Sequence, residues 1–264
     1  MESIKNIAIQ VLALTDPKPC KCGGDHQVCL NCRVCRANEE DKLATDFNHL
    51  AQYIDHTILK PEATQEAVSS LCQEADYYLT KSVCVNPAYV KFAHDHLSQV
   101  LTCSVVGFPL SNSVTETIIS ETSQAIKDGA KEIDMVIKVN WLKDKEYADI
   151  LTEITEISQT CENNGAILKV IFENCLLTQE EIIIAALLAK KAGAEFIKTS
   201  TGFNKSGAST EDVALMRRVV GPKLGVKAAG GIRDRQTALA MLKAGANRIG
   251  ASATVAILKD EYED

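Results

Sequence analysis

Four times in this chain a helical stretch ends in glycine, followed at once by alanine and a short apolar run: Gly129-Ala130, Gly165-Ala166, Gly193-Ala194 and Gly245-Ala246. A glycine just past the last helical turn takes the left-handed position that other residues avoid, and nearby lysines (Lys127, Lys191, Lys243) suit the helix dipole. Each is therefore a helix-to-strand junction. The junctions stand 36, 28 and 52 residues apart, as serial strand-helix units require if one further unit, ending at Gly221-Pro222, lies in the longest gap. Helix starts agree, because Ser113 with Glu116, Thr178 with Glu181 and Ser209 with Asp212 each offer a capping side chain and a returning carboxylate.

Eight short apolar segments alternate with these helices: Tyr53–Asp55, Ser82–Val85, Cys103–Val106, Glu132–Val136, Leu168–Phe172, Phe196–Lys198, Gly225–Lys227 and Arg248–Gly250. Eight such units over roughly 210 residues favour a closed (β/α)8 TIM barrel over an open doubly wound sheet, and no Gly-x-Gly-x-x-Gly fingerprint follows the first strand. The barrel is expected to occupy residues 42–264, with residues 1–41 as an N-terminal extension. Its active site should lie at the C-terminal ends of the strands.

A net charge of −7 argues against nucleic acid or an anionic membrane surface as the main partner. No apolar run approaches the ~18 residues of a membrane span, and the interrupted run Ile7–Leu14 reads as a short amphipathic helix, not a signal peptide. Five of the ten cysteines, Cys72, Cys84, Cys103, Cys161 and Cys175, are scattered singly in apolar surroundings, as small hydrophobes of a reducing cytoplasm are. The other five, Cys20, Cys22, Cys29, Cys32 and Cys35, fall with His26 within 16 residues. Their Cys-x-Cys and Cys-x-x-Cys spacings suit a structural zinc, but also thiol pairs that oxidise, or an extension that is merely cysteine-rich. A charged linker, Asn38–Lys42, separates this cluster from the barrel.

The chemistry is concentrated in charges that apolar strands should not carry. Lys198 closes the run Ala194–Ile197 and is followed by Thr199-Ser200-Thr201-Gly202; Lys227 interrupts Leu224–Gly231. Such a lysine is either a structural cation matched by a buried carboxylate or an amine tuned to attack a carbonyl. Two of them on neighbouring parallel strands could face one another across a pocket, where one sheds its proton cheaply and becomes a nucleophile. Asp55, Asp134 and Lys169 similarly break or close strands, and five charges converging on one rim point to catalysis over a structural network. Glycines after the last three strands (Gly202, Gly230, Gly231, Gly250), with the Ser252 hydroxyl, lie where such barrels commonly hold phosphate, with Arg233 and Lys205 as charge partners.

Several motifs in order, Tyr53–Pro61, Val83–Pro87, Val106–Pro109, Glu132–Val136, Phe196–Phe203, Val226–Arg233 and Arg248–Ser252, resemble the deoxyribose-phosphate aldolase family from about Tyr53 to Ala256. Two positions depart from it: Ala253 stands where many members have a second serine, and Phe203 where some have lysine. The resemblance implies a class I aldolase that cleaves 2-deoxy-D-ribose 5-phosphate reversibly to glyceraldehyde 3-phosphate and acetaldehyde, with no cofactor for catalysis. It implies Lys198 as the Schiff-base lysine, Lys227 as the lysine that perturbs it, Asp134 as an acid in a shared proton relay, Asp55 as the partner of Lys227, and Lys169 as a further lysine of the site. Thr199 joins the substrate-binding residues, and Cys84 is implied as an active-site cysteine outside the chemistry. Partners are then a sugar phosphate and aldehydes, in a homodimer or homotetramer.

Three rivals are weaker. A zinc-dependent aldolase would need convergent histidines, and His26, His49, His56, His94 and His96 do not provide them. A binding protein built on an inactive barrel would have lost a catalytic residue, and a sugar-phosphate isomerase would not need paired lysines.

Overall fold

The computed structural model describes residues 49–262 together with Ile7 and Phe47. The amphipathic helix expected at Met1–Leu14 (Ile7 apart), the cysteine cluster Cys20–Cys35 and the linker Asn38–Lys42 lie outside the described residues.

Strands and helices alternate from one end to the other: β1 (Ile54–Ile58), α1 (Gln65–Tyr78), β2 (Ser82–Val85), α2 (Val90–His96), β3 (Leu101–Val106), α3 (Thr115–Lys127), β4 (Glu132–Val136), α4 (Val139–Lys143), α5 (Tyr147–Asn163), β5 (Ile167–Ile171), α6 (Gln179–Ala192), β6 (Phe196–Lys198), α7 (Thr210–Val220), β7 (Gly225–Ala229), α8 (Arg235–Lys243), β8 (Arg248–Ala251) and α9 (Thr254–Tyr262). Every neighbouring strand pair is parallel, and β8 returns to β1 to close an eight-stranded barrel. Its register places Asp134 beside Lys169 and Lys198 beside Lys227. Among the described residues no helix is long and apolar enough to cross a membrane.

The junction glycines do what their spacing predicts. Gly129, Gly165, Gly193 and Gly245 all have positive φ, between 67° and 115°. Thr178 forms the expected reciprocal cap with Glu181, and the Ser209 hydroxyl accepts from the Asp212 backbone N–H. The cap expected at Ser113 fails. Helix α3 begins at Thr115 with Val114 at its cap position, and no side chain closes it. Thr115 is held instead by its hydroxyl, which donates to the buried Glu153 at 2.9 Å, and the helix starts one residue later than the sequence pattern suggests.

The large apolar core lies between the strands and the ring of helices, with Ile54, Val83, Ile133, Leu168, Ile197, Val226 and Ile249 facing outward into it. Inside the barrel the only separate apolar cluster among the described residues is small: Leu59, Cys84, Cys103 and Val105, with Phe108 against them. Much of the rest of the interior is charged, and room for long side chains comes from glycines. A Cβ on Gly225 would lie 2.1 Å from the Phe196 ring, and one on Gly250 would lie 3.0 Å from Lys227 Cε. Phe196 in turn lies under the Arg248 guanidinium, 5.1 Å from ring centroid to Cζ.

Candidate active site

Alternation along each strand decides which side chains enter the barrel. Asp55 of β1, Glu132 and Asp134 of β4, Lys169 of β5, Lys198 at the end of β6, Lys227 of β7 and Arg248 at the start of β8 all do, and all are buried. This corrects the expectation of a rim. Asp55, Asp134, Lys169 and Lys227 fill the middle of the barrel, and Lys198 alone of the five closes its strand.

Asp134 is the centre of the arrangement. Its Oδ2 accepts from Lys198 Nζ at 2.8 Å and from Lys227 Nζ at 2.7 Å, and its Oδ1 accepts from Lys169 Nζ at 2.7 Å. Lys227 also donates to Asp55. Lys169 reaches Glu132 at 2.6 Å, and Arg248 joins Asp55 at 2.6 Å to Glu132 at 2.8 Å. Lys198 and Lys227 therefore do not face each other across a pocket as expected. They meet at one carboxylate oxygen, with Lys227 beneath.

Charges that would be prohibitive alone are tolerable in this company. Burial works against the Asp134 carboxylate, but Lys169, Lys198 and Lys227 outweigh it and hold the group well below the usual carboxylate range. Asp55 is lowered in the same way: burial opposes its ionisation, and Arg248, Lys227 and Lys169 overcome that. Burial likewise opposes the Lys227 ammonium, yet Asp134 and Asp55 keep it above the ordinary lysine range, and Lys169 is raised by Asp134, Cys103 and Glu132 against the same penalty. With every group ionised, four cations (Lys169, Lys198, Lys227, Arg248) face three carboxylates (Asp55, Glu132, Asp134), leaving one positive charge in excess.

Above this cluster opens a cavity of about 760 Å³. Lys198 lines it together with Thr201, Gly202, Phe203, Gly230, Gly231, Arg233, Gly250 and Ser252 from the loops and strand ends of β6, β7 and β8, and with His56, Lys60 and Glu74. Phe203 packs edge-on against Phe108, with ring centroids 5.3 Å apart. Of the interior lysines only Lys198 reaches the cavity; Lys169 and Lys227 are sealed beneath it. Three expected residues are placed elsewhere. Lys205 is exposed outside the lining, and Thr199 is buried, where its hydroxyl bridges to the Ala229 carbonyl (3.2 Å) and N–H (3.1 Å) and ties β6 to β7. Cys84 is buried beside its register partner Cys103 and does not line the cavity.

Among the described residues, one group has the composition of a metal site: Cys84, Cys103 and Asp134, with ligand atoms within 4.8 Å of one another. The donor set does not suit a cation, because the Lys169 ammonium already takes it up, 3.4 Å from Cys103 Sγ and 2.7 Å from Asp134. Burial also pushes the Cys103 thiol well above its ordinary range, which disfavours the thiolate a metal needs.

Sequence reasoning missed Glu132 and Arg248, which complete the ionic cluster. It also missed Glu173, Gly207 and the contact of His56 Nε2 with Glu74 at 2.7 Å. A signal existed for the first pair, since both are charges opening an apolar strand.

A model of the family described as DeoC/LacD family aldolase matches residues 49–263. The chain belongs to that family. The DeoC/LacD match spans every residue of the ionic cluster and the cavity, and not the cysteine-rich extension. A deoxyribose-phosphate aldolase of Thermococcus gammatolerans is 53% identical over 214 residues, 80% of this chain and 95% of the relative. One of Clostridium tetani is 52% identical over 213 residues, 80% and 98% of the two chains. A solved structure of deoxyribose phosphate aldolase from Aeropyrum pernix, described as a unique tetrameric structure, superposes with a TM-score of 0.76 at 32% identity, covering 83% of this chain and 93% of that one.

Proposed function

We propose that the protein is a class I aldolase that cleaves 2-deoxy-D-ribose 5-phosphate reversibly to D-glyceraldehyde 3-phosphate and acetaldehyde, in deoxyribose phosphate catabolism. The observation that carries this reading is that one interior lysine, Lys198, is open to the cavity while two others and a shared carboxylate stand behind it. The neutral Lys198 amine attacks the C1 aldehyde, and loss of water from the carbinolamine gives an iminium ion. Removal of the C3 hydroxyl proton then breaks the C2–C3 bond, and the electron pair moves to the iminium nitrogen as an enamine. Protonation at C2 and hydrolysis release acetaldehyde and restore the amine.

Asp134 orients Nζ and receives protons beside it, Lys227 supplies a fixed positive charge at the same carboxylate oxygen, and Asp55 and Lys169 hold Lys227 and Asp134 in place. Gly202, Gly230, Gly231, Gly250, Ser252 and Arg233 receive the phosphate at the loops after β6, β7 and β8. The tetrameric relative supports a homodimer or homotetramer. Free thiols at Cys72, Cys84, Cys103, Cys161 and Cys175 support a cytoplasmic location, and the acidic net charge supports partners other than nucleic acid or membrane. Residues Cys20, Cys22, Cys29, Cys32 and Cys35 are proposed to hold a structural zinc with no part in catalysis.

Borohydride added with the sugar phosphate tests the reading. The iminium should be reduced to a stable adduct that peptide mapping places on Lys198; an adduct on Lys169 or Lys227 would overturn the assignment, and no adduct would favour an isomerase.

A further inference from the structure

Just beyond β5 the chain places a glutamate in a conformation that side-chain-bearing residues avoid. Glu173 has φ 59° and ψ 60°, in the left-handed region, and is almost completely buried. A buried carboxylate on such a backbone needs a compensating role. Its side chain supplies one: it accepts from the Thr201 hydroxyl and from the Thr201 backbone N–H at 3.3 Å. The Thr201 Oγ1 then accepts from the Phe203 N–H at 3.1 Å. One carboxylate thus holds three successive cavity residues, Thr201, Gly202 and Phe203, three to five positions beyond Lys198.

The turn held in this way is seated on the one after β7. A Cβ on Gly202 would rest in ordinary contact 3.8 Å from Gly230 Cα, whereas one on Gly207 would lie 2.1 Å from the Gly230 oxygen, so at Gly207 backbone meets backbone with no room for a side chain. Ala208 N–H closes the contact by donating to the Ala229 and Gly230 carbonyls, each at 3.1 Å. The left-handed Glu173 backbone points its carboxylate toward this junction, while Phe172 N–H and Asn174 N–H on either side bond to the carbonyls of Lys198 (3.0 Å) and Thr199 (2.9 Å).

We propose that Glu173 is a positioning residue for phosphate recognition, fixing the Thr201–Phe203 turn against Gly230 so that the cavity's backbone N–H groups converge on the anion. The inference rests on the phosphate reading given under Proposed function. It separates Glu173 from the amine chemistry, because none of its hydrogen bonds reaches the ionic cluster around Asp134.

The test compares Glu173→Gly, which removes the carboxylate yet tolerates the left-handed backbone, with Glu173→Gln, which retains the side chain's length and one acceptor oxygen. Each is assayed on 2-deoxyribose 5-phosphate and on unphosphorylated 2-deoxyribose, with inorganic phosphate as competitor. Glu173→Gly should raise KM for the phosphorylated sugar and the inhibition constant of phosphate together by on the order of tenfold or more, lowering the preference for the phosphorylated substrate by the same factor. Its kcat and borohydride trapping should fall far less, and Glu173→Gln should recover part of the loss. A loss of kcat and trapping with phosphate inhibition unaltered would overturn the proposal, as would wild-type values throughout. Should Glu173→Gly fail to fold, Thr201→Val removes the partnering hydroxyl at constant volume; it must show the same rise in KM, and its failure to do so counts against the proposal equally. The wild-type enzyme separates the two levels of argument. If phosphate does not compete there, the phosphate reading falls and Glu173's role with it; if it competes there and equally well in Glu173→Gly, only the role of Glu173 is lost.

Discussion

Replacing Lys227 by methionine keeps most of the side chain's volume and removes one charge from a closed account. Both lysines reach Asp134 Oδ2, at 2.8 and 2.7 Å, so their nitrogens stand at most about 5.5 Å apart. At an effective dielectric constant of about 20, their repulsion is about 3 kcal/mol, equivalent to roughly a hundredfold in rate where the attacking amine must be neutral. The charge count gives the same direction. Without Lys227, three cations face three carboxylates, and Asp134 loses one of its three ammonium partners. Steady-state cleavage of 2-deoxyribose 5-phosphate at pH 7, with the rate of borohydride trapping, should therefore fall about a hundredfold while KM changes little. Circular dichroism guards against unfolding. Turnover within about threefold of wild type at pH 7, or a loss confined to KM, would refute the electrostatic account.

Two further predictions concern groups outside the chemistry. Burial pushes the His56 imidazole below its ordinary range despite Glu74 beside it, so the unfolded chain takes up the proton first; the stability this contributes is present above about pH 6.5 and is lost as the pH falls below it. Thermal melts at about pH 7.5 and about pH 5.5 should differ less in His56→Gln than in wild type, and an equal difference in both would remove His56 from the explanation. For the extension, native mass spectrometry should find one zinc per chain that is lost in Cys29→Ser/Cys32→Ser, and deletion of residues 1–41 should leave aldol cleavage intact while changing assembly or melting temperature. A folded but inactive truncation would show that the extension and the barrel do not have separate roles.

The barrel was legible because its repeat is local: a glycine beyond each helix and an apolar strand after it announce the unit without reference to any partner. Lys198, Lys227, Asp134, Lys169 and Asp55 were legible for a different reason, since each violates the apolar pattern of its strand. What the pattern could not convey is depth. Of the seven charges inside the barrel only Lys198 ends its strand, the others standing in the middle or at the start, so residues assigned to a rim turned out to form a stacked interior. Glu132 and Arg248 escaped notice because a charge at the first residue of a strand looks like an ordinary solvent-facing terminus, and their partnership joins residues 116 positions apart. Thr199 and Ser113 show the opposite failure, in which a plausible local role was superseded by a tertiary contact, to Ala229 in one case and through Thr115 to Glu153 in the other. Nothing local distinguishes Glu173 from a loop carboxylate; only its backbone angles and the position of Thr201 do.

The contact between Lys198 Nζ and Asp134 Oδ2 bears on how the barrel meets the course of a reaction. A protonated Schiff base formed on Lys198 carries its positive charge on that nitrogen and presents its N–H to the same oxygen. The Asp134 carboxylate thus already stands where the charge of the covalent intermediate develops, before any substrate arrives. Reorganisation, which costs water-solvated imines much of their barrier, is here largely completed during folding. An engineer seeking to move this chemistry to another barrel would accordingly need to transplant the seven-residue interior as one electrostatic body, since a lysine placed alone at a strand end would have to rebuild its surroundings at every turnover.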